Sequence, residues 1–229
     1  MKTRFSIERI PGPLAPLYEK ASRLVIKTYY GQVAEEILAS FPQGLLLDLG
    51  TGPGYLPIEV AKRSPRVRII GVDLSRKFIR MARANALRSG CSVRVHFEAG
   101  NAARLRFKDN TFDGVISTGM LHALRDPVST MQECWRVLKR GHEAWIYDPA
   151  RVCSQVDAAV WKGSFNLFER VMARFLPVFA RLNPPHTYTR ELVEEWIART
   201  PFKDYAIETH GTETKIRLKK TGDPLRTTS

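Results

Sequence analysis

Leu45-Leu46-Leu47-Asp48-Leu49-Gly50-Thr51-Gly52-Pro53-Gly54 is the stretch that sets the architecture. A short apolar run without alternation reads as a strand buried on both faces. It runs straight into glycines, which let the chain turn sharply and leave its backbone open to a ligand. A helical pattern over 55–63 follows. Outward from this point the unit repeats. Residues 67–72 read as a second strand ending at Asp73, and Ser75 can N-cap a helix reaching about Leu87. In the third strand Cys91, Val93, Val95 and Phe97 alternate with Ser92, Arg94 and His96, the mark of one wet face near a sheet edge. Residues 112–117 form a fourth strand, 127–138 a helix and 143–147 a fifth strand. Strands alternating with helices imply βαβ units and a parallel sheet covered on both faces. Ligands of such sheets bind beyond the carboxyl ends of the strands. The residues just after each strand therefore carry the chemistry.

The flanks differ. Residues 1–13 read as an irregular arm punctuated by Pro11, Gly12 and Pro13, and 14–40 as helical, stopped by Phe41-Pro42-Gln43-Gly44. Residues 150–188 break the alternation. Leu167, Phe168, Val171, Met172, Phe175, Leu176, Phe179 and Leu182 share a helical face opposite Arg170, Arg174 and Arg181, with Pro177 as a kink. Thr189 can cap a last helix through Arg199, and 205–210 with 213–219 read as an antiparallel hairpin before a frayed tail, 221–229. The expected organisation is a core over 44–149, completed by 189–220. Residues 1–43 and 150–188 form a cap over the acceptor.

Composition narrows the function. With 229 residues and 44% hydrophobic content the chain can bury a core without staples, which excludes a disordered or disulfide-scaffold protein. Cys91, Cys134 and Cys153 show no metal-ligand spacing, and their odd number suits a reducing compartment. The N-terminal MKTRFSIERI lacks the apolar core of a signal peptide, and no run of about 18 uncharged apolar residues exists to span a membrane. A cytoplasmic protein without a metal site is expected. The net charge is +13, and 62–106 alone holds twelve cations against two acids, a basic stripe of net +10. Such a stripe invites a nucleic-acid partner.

The glycine loop discriminates between cofactors. A dinucleotide fold wants G-x-G-x-x-G, whose last glycine falls at Tyr55 here; the observed spacing is G-x-G-x-G. Asp48 before the loop would repel a pyrophosphate. It suits the ammonium and sulfonium of S-adenosylmethionine. Asp73 lies 23 residues after Gly50, where an acid can accept the ribose hydroxyl protons of an adenosine. The bland alternatives are a plain strand-to-helix turn and an acid favouring the next helix dipole.

LLLDLGTGPGYLPIEVAK, GVDLSRKFIRMAR, LRFKDNTFDGVIS and LHALRDPVSTMQECWRVLKRG, in this order, resemble the motifs of the class I S-adenosylmethionine-dependent methyltransferases, in particular the type 11 methyltransferase domain group. The resemblance covers about 44–149 closely. It implies a Rossmann-like α/β fold: a doubly wound, mostly parallel seven-stranded sheet with a C-terminal antiparallel hairpin and a helical insertion. It also implies a methyltransferase using S-adenosyl-L-methionine. Gly50, Gly52 and Gly54 would face the methionine end, with Asp48 nearby and Thr51 lining the turn. Asp73 would hold the ribose between Leu74 and Phe78, Asn101 and Ala102 would meet the adenine, and Ser117 would sit beside the methionine portion. Asn101 stands where the family usually has Asp; its amide can both accept and donate.

No Asn/Asp-Pro-Pro-Tyr/Phe follows strand four, where the chain reads Ser117-Thr118-Gly119-Met120, which disfavours exocyclic base amines as acceptors. His122 can serve as a general base or pack locally. His186 can line the mouth or sit on a surface loop. Tyr29 or Tyr30 can close over a sulfonium or fill the core. A small-molecule acceptor is the expected partner. RNA or protein methylation through the basic stripe, and cofactor binding without catalysis, are the alternatives.

Overall fold

The computed structural model describes residues 29–149, 188–210 and 213–222. The expected arm at 1–13, the cap segment 150–187 with His186, and the tail beyond 222 lie outside the described residues. The elements are a helix over 29–40 (α1), β1 Gly44–Leu49, α2 Tyr55–Arg63, β2 Val67–Asp73, α3 Arg76–Arg88, β3 Val95–Ala99, β4 Gly114–Thr118, a single 3-10 turn Leu121–Ala123, α4 Pro127–Val137, β5 Glu143–Pro149, α5 Arg190–Ala198, β6 Asp204–His210 and β7 Glu213–Lys219. One seven-stranded sheet runs β3-β2-β1-β4-β5-β7-β6. The first five strands are parallel, and the hairpin returns antiparallel with β7 against β5. Strand order reverses between β1 and β4, so the crevice beyond their carboxyl ends is the switch point where α/β sheets bind ligands.

The triple leucine behaves as its pattern requires. Leu46 and Leu47 point to opposite faces, and both are fully buried. Leu46 joins an apolar cluster with Ile37, Val60, Ile79, Phe97 and Ile116, on the side of α1, α2 and α3. Leu47 joins another with Phe112, Met131, Val137, Ile197 and Ile216, on the side of α4 and α5. Two helix starts are capped as read: Ser75 Oγ accepts from the Phe78 N–H, and Thr189 accepts from the Leu192 N–H. Asp126, not read as a cap, accepts from the Ser129 N–H at the start of α4, with Pro127 next. Helix α1 is fixed to the far strands by Glu36. Its carboxylate accepts from the Tyr147 hydroxyl and pairs with the Lys215 ammonium, which lies 3.8 Å from the centre of the Trp145 ring.

The third strand is shorter than its alternation suggested. The N–H groups of Arg94 and Val95 both donate to the Cys91 carbonyl, so 91–94 folds as a turn and pairing begins only at Val95. Cys91 is buried, but Val93 points outward and is 83% exposed. The edge position of β3 stands.

These placements separate two apolar substitutions. Ile116→Ala should destabilise by about 2–5 kcal/mol, the usual cost of emptying a packed core site. Val93→Ser should stay within about 0.5 kcal/mol, as surface changes do. Urea unfolding of both variants checks this; equal losses would contradict the assigned end of β3.

Candidate cofactor site

The carboxyl ends of β1, β2 and β4 meet around the glycine loop. The N–H groups of Gly50 and Thr51 donate to the Val72 carbonyl, binding the loop to the end of β2. The Gly52 N–H then donates to Asp73 Oδ2 at 2.9 Å, while Oδ1 accepts from Ser75 N–H at 2.7 Å. Asp73 is thereby aimed along the loop by two backbone donors. The three glycines take positive φ of 71°, 51° and 78°, but they serve different ends. A Cβ on Gly50 would strike Met120, and one on Gly54 would strike the Phe97 ring at 2.6 Å. Gly52 alone of the three looks onto open space. Gly54 is therefore also needed for packing α2 on β3 and α3.

Three buried side chains around this loop have polar atoms without a hydrogen-bond partner: Asp48 Oδ1, Thr51 Oγ and Ser117 Oγ. Orphaned buried polar atoms are uncommon, and each calls for a reason. All three were read from the sequence as cofactor residues. An acid and two hydroxyls beside the glycine loop form a polar cradle that suits a cationic amino acid moiety. Burial pushes the Asp48 carboxyl up to about 7, with Thr51 acting the other way and Asp73 adding to the rise. Tyr30 of α1 lies within the field of Asp48. Burial and then that carboxylate hold its phenol above the usual range. Its ring centre is 6.4 Å from that of Tyr55 and 5.3 Å from that of Tyr29. Of the two tyrosines considered, Tyr30 is the one tied electrostatically to the loop.

On the adenosine side Leu74, beside Asp73, is 78% exposed, and Phe78 is half-buried one turn into α3. The Gly100 N–H donates to the Asp73 carbonyl, which brings Asn101 and Ala102 to the same rim. Asn101 Oδ1 accepts from the Ala103 N–H, so its amide NH2 is the group left facing outward.

A second polar cluster occupies the other flank, and only one of its members was read from the sequence. Asp148, at the end of β5, is buried. It accepts from the N–H groups of Leu121 and His122, from His122 Nδ1 at 3.1 Å, and from the Tyr188 hydroxyl at 2.8 Å. The hydrogen bond to Asp148 raises the His122 pKa, with burial opposing. Burial and Asp148 together push the Tyr188 phenol up, so it stays a donor. Read from the sequence, the fifth strand stops at Tyr147 and Asp148 directly follows it, the position that signals chemistry; in the structure β5 runs two residues further, to Pro149, and includes Asp148. Tyr188 gave no signal. Cys134 is a packing residue, as expected: burial, with Glu133 nearby, pushes its thiol up to about 12.

A cavity of about 900 Å³ opens at the opposite end of the sheet, near Arg66, Asp113, His142 and Arg217. It holds none of the residues above and lies away from the carboxyl ends where such sheets bind ligands.

Residues 46–141 match the family model of the methyltransferase domain. A demethylmenaquinone methyltransferase of Deinococcus radiodurans is 29% identical over 192 residues, covering 82% of this chain and 77% of that protein. Residues 46–141 thus carry a methyltransferase domain, with S-adenosylmethionine as its methyl donor. A ubiquinone/menaquinone biosynthesis C-methyltransferase, UbiE, from a Geobacter species is 26% identical over 197 residues, covering 84% of this chain and 82% of that protein. A solved structure from Methanococcus maripaludis, described as an S-adenosyl-L-methionine-dependent methyltransferase, shares the fold with a TM-score of 0.75 at 22% identity, over 98% of this chain and 100% of that one.

For a methyltransferase domain the raised Asp48 has a measurable consequence. Its folded pKa of about 7 exceeds the unfolded value of 3.8. Without cofactor, therefore, stability declines as pH rises from about 4 to about 7. A cationic ligand favours the ionised form, so S-adenosylmethionine should bind more tightly as pH rises toward 8 and release a proton on binding near pH 6. Asp48→Asn should raise the cofactor-free melting temperature at pH 8 and weaken binding about tenfold, within the range for a charged hydrogen-bond partner. Calorimetry in two buffers of different ionisation heat reads both; unchanged affinity and pH dependence would remove Asp48 from the site.

Proposed function

We propose that this domain methylates a small aromatic acceptor of the quinone type on a ring carbon. The observation that carries the reading is the likeness, over about four fifths of the chain, to proteins named as demethylmenaquinone and ubiquinone/menaquinone C-methyltransferases. When bound, S-adenosylmethionine supplies a methyl group on a sulfonium that a nucleophile displaces in line. The chain's own part is to hold and orient. Asp73 takes the ribose hydroxyls, with Leu74 and Phe78 on either side of the adenosine and Asn101 and Ala102 at the base. Asp48, Thr51 and Ser117 receive the methionine portion against the backbone of Gly50, Gly52 and Gly54. Tyr30 presents an aromatic ring to the positive charge. Fixing methyl donor and acceptor in line accounts for a large share of such rate accelerations.

Methylation of a polyanion along the basic stripe is the weaker reading, because several of its cations are engaged within the fold. Arg94 donates to the carbonyls of Ala61 and Ser64 at the end of α2. Arg83 donates to the Phe97 carbonyl, and Lys62 and Arg63 pair with Glu59. Placement in the cytoplasm accords with the free, buried thiols of Cys91 and Cys134. No helix among the described residues is long and apolar enough to cross a membrane.

Purified protein with labelled S-adenosylmethionine should transfer label to a reduced demethylquinone with a shortened side chain, and not to bulk RNA at physiological salt. Arg76→Glu with Arg80→Glu, which alters the exposed part of the stripe, should leave that turnover within about twofold. Label in RNA but not in the quinol, or loss of turnover in the double variant, would overturn the assignment.

A further inference from the structure

We infer that His122, oriented by Asp148 and Tyr188, is the base that removes the proton an acceptor must lose on methylation; this rests on the small-molecule methyl-transfer reading above.

The geometry runs across the sheet edge. Asp73 ends β2, Asp48 lies in β1, Ser117 in β4 and Asp148 in β5, on adjacent strands. Neighbouring strands are about 4.8 Å apart. An adenosine held at Asp73 with its methionine portion between Asp48 and Ser117 points its methyl group toward the β4–β5 side. There the 3-10 turn Leu121–Ala123 crosses the strand ends, anchored by the two backbone bonds from Leu121 and His122 to Asp148. An acceptor ring between the methyl group and this turn would face His122.

The imidazole is prepared for a proton. Nδ1 lies 3.1–3.2 Å from both carboxylate oxygens of Asp148, which fixes the tautomer with the proton on Nδ1 and leaves Nε2 as the accepting nitrogen. The side chain is 29% exposed, so Nε2 can meet a ligand. The groups facing this pair are the Asp148 carboxylate of β5 and the Tyr188 hydroxyl preceding α5; among the described residues no lysine or arginine pairs with Asp148. A buried carboxylate held by four donors is costly to assemble unless it serves a partner, and here it serves the ring. In the step itself the ring hydroxyl of the acceptor gives its proton to Nε2. The adjacent carbon forms a bond to the methyl group as the carbon–sulfur bond breaks and its electron pair stays on sulfur. The hydrogen of that carbon then moves as a proton to the oxygen, which restores the aromatic ring and its hydroxyl and leaves the proton on Nε2 as the one lost overall. The imidazolium, steadied by Asp148, returns its proton to solvent. His122 is thus the catalytic residue, and Asp148 and Tyr188 position it.

Two readouts test this. In cofactor-free protein, the NMR titration of His122 should lie above 6.5, fall in Asp148→Asn, and rise further in Tyr188→Phe, which frees Asp148 from a competing donor. In turnover, the acidic limb of kcat against pH should follow the same order. His122→Ala should lose about 10²–10⁴-fold in kcat with cofactor affinity kept within about twofold. A His122 titration unmoved by both variants, or His122→Ala turning over within threefold of the parent, would overturn the proposal. If the parent methylates no quinol, the acceptor reading fails instead, while the titration still decides whether Asp148 controls the ring.

Discussion

The hydrogen bond from the Gly52 amide to the Asp73 carboxylate is the contact on which the site depends. It joins the loop after β1 to the end of β2, and it requires a residue at φ 51° whose Cβ direction is open. With the Gly50 and Thr51 amides already bound to Val72, the loop has little freedom left. Asp73 is thereby held by backbone donors rather than by a cation, so its remaining lone pairs are available to a neutral hydroxyl-bearing ligand. The same turn buries Asp48 behind it. One tight bend places two carboxylates of different character side by side: one paired and half-buried, the other buried with an oxygen unpartnered.

The central sheet was legible because its strands are short apolar runs that end in Asp or Gly, and because the helices carry caps whose chemistry is local. Ser75 and Thr189 each bond an amide three residues on, so a reader of the chain can see both partners. The third strand was less legible. Cys91 and Val93 fit an alternating pattern, but a backbone turn closed by the Cys91 carbonyl overrides it, and side-chain periodicity carries no record of that bond. At Gly54 the motif gave one reason for a glycine and the fold adds a second that the motif does not record: the ring of Phe97, 43 residues on, leaves no room for a side chain there.

The polar cluster around Asp148 shows where sequence reading stops. His122 and Asp148 are 26 residues apart, and Tyr188 lies 40 beyond Asp148. No spacing rule links them; the sheet order, which sets β5 beside β4, brings them together. The basic stripe has the opposite lesson. Its charge was plain in the chain, yet Arg83 and Arg94 are directed at carbonyl oxygens that end a strand and a helix. A linear count of cations cannot distinguish such caps from charges offered to a partner.

Crystals grown with S-adenosylhomocysteine would test the central claim most directly. The account predicts both ribose hydroxyls within hydrogen-bond distance of the Asp73 carboxylate, the amino acid moiety between Asp48 and the Gly50–Gly52 loop, and the sulfur directed toward the β4–β5 side. Adenosine density elsewhere, for example in the cavity near His142 and Arg217 at the opposite end of the sheet, would contradict it.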